Sequence, residues 1–260
     1  MRVRIGLIVP TALLLSPAAA FSQAVDKVTE LKPFSTLEVG GCFEGHLVAG
    51  TPERVVVNAT AVQQARIRVE QEGSTVKVGF IEHAFVDDYN VCRDGKIRVT
   101  VTANFDKDQP VNLRLAGSGG FDADVPRVAK LTTSSAGSGG LTLHGAAAEC
   151  RVNTAGSGAV DARPLVCDTS TSVALSGSGS TKLNGKTKTC QFSISGSGGI
   201  DAEQFACDSA DVSISGSGSV TLPKIAELKV AINGSGSVLY HGEPTLRGID
   251  VHGSGRVRKL

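Results

Sequence analysis

The chain has 260 residues, of which 41% are hydrophobic and 20% charged, with 26 Lys and Arg against 25 Asp and Glu. This balance excludes a chain that is disordered by composition, and it offers no basic excess for binding nucleic acid. Aromatic residues make up only 4% and Trp is absent, so stacking surfaces for sugars or bases are scarce and the core must consist of Val, Ile, Leu and Ala.

Residues 1–24 predict a secretory signal peptide. Two arginines precede an apolar run from Ile5 to Leu15, and small residues follow it, so cleavage is expected after Ala20 or Ala24. Proline and serine interrupt the run before it reaches the roughly twenty residues of a transmembrane helix, and we expect no integral membrane span after signal removal. The mature protein is therefore expected in the periplasm, at the cell surface or outside the cell.

Residues 25–112 predict short strands separated by turns. The expected strands span residues 34–39, 45–48, 54–57, 66–69, 75–80 and 96–101. We interpret this region as the N-terminal cap and opening coils of the repeat architecture that follows, because an uncapped stack of strands exposes apolar columns and strand edges. Residues 82–94 are expected to form a surface loop.

A Gly-Ser-Gly motif recurs through residues 113–260 at an almost constant interval. The motifs begin at Gly117, Gly137, Gly156, Gly177, Gly196, Gly216, Gly234 and Gly253, which are 20, 19, 21, 19, 20, 18 and 19 residues apart. A flexible Gly/Ser linker has no reason to keep such a period. The period predicts a solenoid, in which each repeat is one coil that needs neighbours to bury its apolar face.

The residues around each motif alternate between apolar and polar. Positions four and two residues before the first glycine, and four residues after it, are mostly aliphatic, whereas the positions between them are mostly polar. Alternation of this kind is typical of strands, and it predicts an all-β fold, a parallel β-helix with coils of about 19–20 residues and side-chain columns stacked about 4.8 Å apart. Residues 25–260 are thus expected to form a single β-solenoid domain.

The motif itself is interpreted as architectural. Its glycines are expected either at a bend that needs positive φ or at a point where the opposite wall leaves no room for a Cβ atom. The central serine is expected to point outward and to hydrogen-bond to its copies in the coils above and below.

The six cysteines are predicted to form disulfides, because their number is even and an exported protein meets an oxidising environment. Their spacing repeats after forty residues and favours the pairs Cys150–Cys167 and Cys190–Cys207, which leaves Cys42–Cys92. Partners are two residues out of phase with the motif, so variable bends must absorb the offset to bring their Cα atoms within about 7 Å.

No metal, cofactor or catalytic site is expected. The histidines stand singly and no two cysteines have the spacing of a zinc site. Asp122, Asp161 and Asp201 recur every second coil, which separates them by roughly 9–10 Å, too far to share a calcium ion, and Lys182 lies between two of them. Dinucleotide loops, nucleophile elbows and clustered carboxylates with a basic residue are also missing.

Several segments together resemble one bacterial family. FSTLEVGGCFEGHLVAG, EGSTVKVGF and the serial units SISGSGGIDA and LSGSGSTKLNG are similar to the auto-transporter adhesin, head GIN domain family (DUF2807), over residues 33–257. The resemblance implies a right-handed parallel β-helix in an exported bacterial protein.

Two functions of different classes remain open. The first is a structural or binding module of the cell envelope, for which adhesion is one role, whose partner is an envelope protein or a glycan and which performs no catalysis. The second is a carbohydrate-active β-helix enzyme, either a polysaccharide lyase or a hydrolase. We expect the module, since a cleft with two carboxylates and a basic residue would be needed for the enzyme.

Overall fold

The computed structural model describes residues 23–81, 91–93 and 95–260. The predicted signal peptide, apart from Gln23 and Ala24, lies outside the described residues, and so does most of the loop predicted at residues 82–94. The described residues contain twenty β-strands and the short α-helix Ala61–Gln64, and residues 91–93 are also helical. No helix among them is long and apolar enough to cross a membrane.

The N-terminal region contains eight strands and the helix. They are β1 (Val25–Glu30), β2 (Thr36–Gly41), β3 (Glu44–Ala49), β4 (Arg54–Ala59), α1 (Ala61–Gln64), β5 (Ile67–Glu72), β6 (Thr75–Phe80), β7 (Arg98–Ala103) and β8 (Pro110–Gly117). Each strand expected between residues 34 and 101 is present, while β1 and α1 were not predicted. Helix α1 begins with a capping box, in which the Thr60 side chain and the Gln63 side chain each accept from the other's backbone N–H.

The repeats form stacked coils, each with two extended legs that meet at the Gly-Ser-Gly corner and at a second bend opposite it. The strands are β9 (Gly120–Gly137), β10 (Gly140–Gly156), β11 (Ala159–Gly177), β12 (Ser180–Lys186), β13 (Thr189–Gly196), β14 (Gly199–Ala206), β15 (Ser209–Gly216), β16 (Ser219–Lys224), β17 (Glu227–Gly234), β18 (Ser237–His241), β19 (Thr245–Gly253) and β20 (Arg256–Lys259). In β9, β10 and β11 the strand continues through the second bend. Every leg pairs in parallel with the equivalent leg of the next coil.

The first glycines of the eight motifs pair with one another in a single row, from Gly117 to Gly253. Residues about twenty positions apart are therefore direct neighbours. This register confirms the predicted β-solenoid.

The stacking order at the N-terminal end does not follow the chain. Strand β2 pairs in parallel with both β6 and β8, and β3 pairs in parallel with both β7 and β9, so this early coil lies between later ones. Three antiparallel pairings complete this end: β5 with β6, β4 with β7, and β1 with β4. The edges at this end are thus β5 on one wall and β1 on the other.

The inward columns fill the space between the two walls. Leu37 and Val238, near opposite ends of the solenoid, are both fully buried, and the core between them is continuous and mostly aliphatic. Phe192 and Phe205 are its largest fully buried side chains. Because the apolar columns face inward, the polar columns of the same strands form the outer faces, and any binding site must be sought there.

Candidate interaction faces

Backbone contacts between coils build the Gly-Ser-Gly corner. The carbonyl oxygen of Gly117 accepts from the N–H groups of Ser138 and Gly139, both at 3.0 Å, and the same double contact recurs at Gly137, Gly156 and Gly177. The first glycine of every motif has φ between 105° and 131°, a region that favours glycine. The motif is therefore a bend, and the backbone that crowds it belongs to the adjacent coil and not to the opposite wall.

The central serines do not form the expected ladder. All eight are exposed, and in the part of the chain that the structure describes no side-chain hydrogen bond joins one to another. Coils rise about 4.8 Å, whereas two hydroxyl oxygens must approach to about 2.8 Å to share a hydrogen bond. The serine contributes its backbone N–H to the corner and leaves its hydroxyl to solvent.

The cysteines form the three pairs that the sequence favours. Their Cα atoms are 6.0 Å apart in Cys42–Cys92, 5.9 Å in Cys150–Cys167 and 6.2 Å in Cys190–Cys207. The last two bonds join the start of one leg to the second bend of the next coil, which accounts for the offset in phase. Each ties two successive coils together at the bend opposite the Gly-Ser-Gly corner.

One outer face consists of the legs that run into the corners, and we call it the leading face. In six successive coils its two columns nearest the corner carry no charge, and we call these columns the uncharged strip. The strip comprises Ser134, Ala136, Asn153, Ala155, Ala174, Ser176, Ser193, Ser195, Ser213, Ser215, Ala231 and Asn233. Five spacings of about 4.8 Å separate the six coils, so the strip is about 24 Å long. A shallow groove of about 420 Å³ lies over its first four coils.

A ladder of alternating charges continues the leading face at its N-terminal end. Glu70, Lys77, Glu38 and Arg114 follow one another from strand to strand, and Arg114 donates to Glu38 at 2.6 Å. Lys77 donates to Glu72 at 2.8 Å, and this bond lowers the pKa of the Glu72 carboxyl below its ordinary value. A groove of about 680 Å³ lies between these side chains and the start of the uncharged strip.

The opposite outer face, made by the legs that leave the corners, is the trailing face. It contains the aspartates that the sequence singled out, and Asp161, Lys182 and Asp201 are successive members of one column, as expected. Lys182 Nζ lies 3.7 Å from an Asp201 oxygen, and Arg163 donates to Asp161. Asp122, in the same column, lies 3.4 Å from His46 Nδ1.

The aspartates of the trailing face are exposed, and Asp122, Asp161 and Asp201 each lie beside a histidine or a cation. A general acid for glycoside cleavage is typically a buried carboxyl group, whereas the Asp161 and Asp201 side chains are 33% and 46% exposed and each contacts a cation. Within the described ranges, no three His, Cys, Asp or Glu side chains are placed to hold a metal ion. The geometry presents flat ladders of polar groups, which suit contact with an extended partner.

Comparison with solved structures shows the same fold. A protein from Parabacteroides distasonis ATCC 8503 described as a putative lipid binding protein has a TM-score of 0.78 and 23% identity, over 92% of this chain and 97% of that one. A putative adhesin from Parabacteroides merdae ATCC 43184 has a TM-score of 0.78 and 19% identity, over 92% and 96%. A putative adhesin from P. distasonis ATCC 8503 reaches 0.79 at 17% identity, over 93% and 98%. No curated protein matches the chain.

A family model extends the comparison to sequence. The model described as putative auto-transporter adhesin, head GIN domain, matches residues 33–174 and 169–244, which is most of the chain and includes both the early coil β2–β3 and the regular repeats. The chain therefore belongs to the DUF2807 family of putative auto-transporter adhesins, head GIN domain.

Proposed function

We propose that this protein is an exported module of the bacterial cell envelope that binds an envelope protein or a glycan through its leading face and performs no catalysis. The observation that carries the proposal is the uncharged strip of small polar and methyl side chains beside the alternating charge ladder. An extended polymer can lie along such a strip and meet the same side-chain spacing at every coil. The paired charges lie at one end of the strip, so the two ends of the strip differ and a bound polymer has a preferred direction.

The three disulfides support both export and binding. Disulfides are typical of proteins in an oxidising compartment. The bonds Cys150–Cys167 and Cys190–Cys207 also join neighbouring coils covalently, which restrains the outer faces. Rigid faces lose little conformational entropy when they bind, which favours recognition by many weak polar contacts.

A lipid is a further partner to test, because one structural relative is described as lipid binding. The described core is filled by side chains, so a lipid would have to lie in the surface groove beside the charge ladder. Binding of the protein to lipid vesicles tests this partner.

The proposal is tested by cell fractionation, followed by glycan arrays, envelope pull-downs and vesicle binding with the exported protein. The variant Ser193→Arg/Ser213→Arg places two cations on the uncharged strip, and we expect it to abolish binding. The matched control, Ser180→Arg/Ser219→Arg, makes the same change at exposed serines of the trailing legs and should bind normally. Cytoplasmic location, equal loss in both variants, or cleavage of a polysaccharide by the purified protein would each contradict the proposal.

A further inference from the structure

The end of the solenoid formed by β19 and β20 leaves core positions uncovered. Leu246 and Ile249 are 50% and 43% exposed, whereas their partners in the preceding coil, Leu228 and Val230, are 0% and 1% exposed. Within residues 23–81, 91–93 and 95–260, β19 pairs only with β17 and β20 only with β18, so each presents one open edge. Exposed aliphatic side chains between two open strand edges form a surface that further strands can cover.

The opposite end of the solenoid also presents two open edges. Over the described part of the chain, β1 pairs only with β4 and β5 only with β6. Val25 and Val28 on β1 are 53% and 55% exposed. Because β1 is antiparallel to β4 and β4 is antiparallel to β7, β1 runs in the direction of the regular legs on its wall, including β20. Two copies stacked along one axis would thus bring β20 of one beside β1 of the next in parallel.

The charges on these two edges are complementary. The register places Arg256 and Arg258 on the outer surface of β20, and it places Asp26 and Glu30 on the outer surface of β1. In the stacked arrangement the edge with Arg256 and Arg258 lies beside the edge with Asp26 and Glu30, and this opposite charge favours association. Contact between two β20 edges would instead oppose arginine to arginine, so charge disfavours an arrangement in which two copies meet through the same end.

We propose that a second copy of this chain docks head-to-tail, with its β1–β5 end covering the β19–β20 end of the first. The contact joins two different surfaces. The first copy keeps one of these surfaces free and the last copy keeps the other, so further copies can add along the solenoid axis to form a filament. The leading and trailing faces stay exposed along such a filament. This inference is independent of what those faces bind.

Sedimentation velocity over a concentration series, with negative-stain microscopy of the same samples, tests the proposal on the exported protein. Association of the wild type is expected to rise with concentration and to give rods. Arg256→Glu/Arg258→Glu reverses the β20 edge and Asp26→Lys/Glu30→Lys reverses the β1 edge. Each alone should weaken association by about tenfold, since attraction between the two edges becomes repulsion, and the four changes in one chain should restore it.

A matched control is Lys186→Glu/Lys188→Glu, which makes the same charge change at exposed side chains beside a bend in the middle of the solenoid. It should associate as the wild type does. A protein that stays monomeric at every concentration would overturn the proposal. So would a closed dimer that the β1 reversal leaves unchanged, or a control variant that weakens association as much as the edge reversals do.

Discussion

The two glycines of a corner are needed for different physical reasons. Gly137, the first glycine of its motif, combines φ of 109° with a Cβ position only 2.4 Å from the carbonyl oxygen of Gly117. Gly139, the second, has no such φ, but a Cβ there would lie 2.3 Å from the carbonyl oxygen of Gly119. Backbone atoms of the neighbouring coil cannot move aside without breaking their own hydrogen bonds, so stacking alone excludes a side chain at the second position.

Alanine substitutions at the adjacent residues Gly139 and Gly140 test whether contact with the neighbouring coil excludes a side chain. Gly139→Ala should destabilise the fold by about 3 kcal/mol, because its methyl group collides with backbone and forces two coils apart. A Cβ on Gly140 meets nothing within 4 Å, so Gly140→Ala should be neutral or slightly stabilising, by at most about 1 kcal/mol. Urea denaturation of the two variants measures the contrast, and equal stabilities would contradict the steric account.

The corner at Gly40-Gly41 could not be predicted from the Gly-Ser-Gly motif. Gly41 pairs with Gly117, yet Cys42 stands in place of the serine and Phe43 in place of the second glycine, so an alignment on Gly-Ser-Gly does not detect this coil. Phe43 fits because its ring packs on that of Phe80, with centroids 5.0 Å apart, and no regular corner underlies it. The motif therefore identifies a corner only where its second glycine contacts the corner of an adjacent coil.

At the scale of the strands, alternation predicted the regular coils but not the order at the N-terminal end. A strand of six residues shows the same inward and outward alternation whether it runs parallel or antiparallel to its neighbour. Nothing local in β2 and β3 therefore reveals that they pair with β8 and β9, or that β4 and β5 run the other way. In the repeats, the glycine period indicates which strands are neighbours and that they are parallel, because it identifies the equivalent residue in each coil.

The stacking that brings the cysteines of each disulfide together also brings together one pair of residues that are not cysteines. Cys150, Thr171 and Cys190 are successive members of one inward column. Thr187 follows Lys186, which pairs with the residues immediately before Cys167 and Cys207. Thr171 and Thr187 are thus placed relative to each other as the two disulfide pairs are. Both hydroxyls are buried without a hydrogen-bond partner, which is unfavourable.

Thr171→Cys/Thr187→Cys should therefore form a further disulfide between the two native ones. Closing a loop of about 15 residues stabilises by about 3 kcal/mol, and the change also removes two unsatisfied hydroxyls. Mass spectrometry without reductant shows whether the bond forms, and thermal denaturation shows its effect. The control is Thr171→Cys alone, which cannot form this bond and should melt near the wild type; a double variant that keeps both thiols free would refute the predicted geometry.

At the scale of the whole molecule, stability should vary along the axis because each coil contacts only its neighbours. Central coils have an interface on both sides, and the staples Cys150–Cys167 and Cys190–Cys207 lie among them. The coil made by β19 and β20 has one interface, and its core residues Leu246 and Ile249 are about half exposed. Local opening should accordingly begin at that end and not in the middle.

Hydrogen exchange followed by mass spectrometry tests this gradient. Peptides from residues 170–200, which include the corner amides of Ser178 and Ser197 bonded to the coil below, should exchange slowest. Peptides from residues 245–260 should exchange fastest among the coils in dilute solution, because opening the end coil breaks one interface where opening a central coil breaks two. Uniform protection would contradict a chain of nearest-neighbour coils. If a second copy covers that end, β20 should exchange more slowly at high concentration while the central coils are unchanged. The same measurement therefore separates the low stability of the end coil in the monomer from its protection by a second copy.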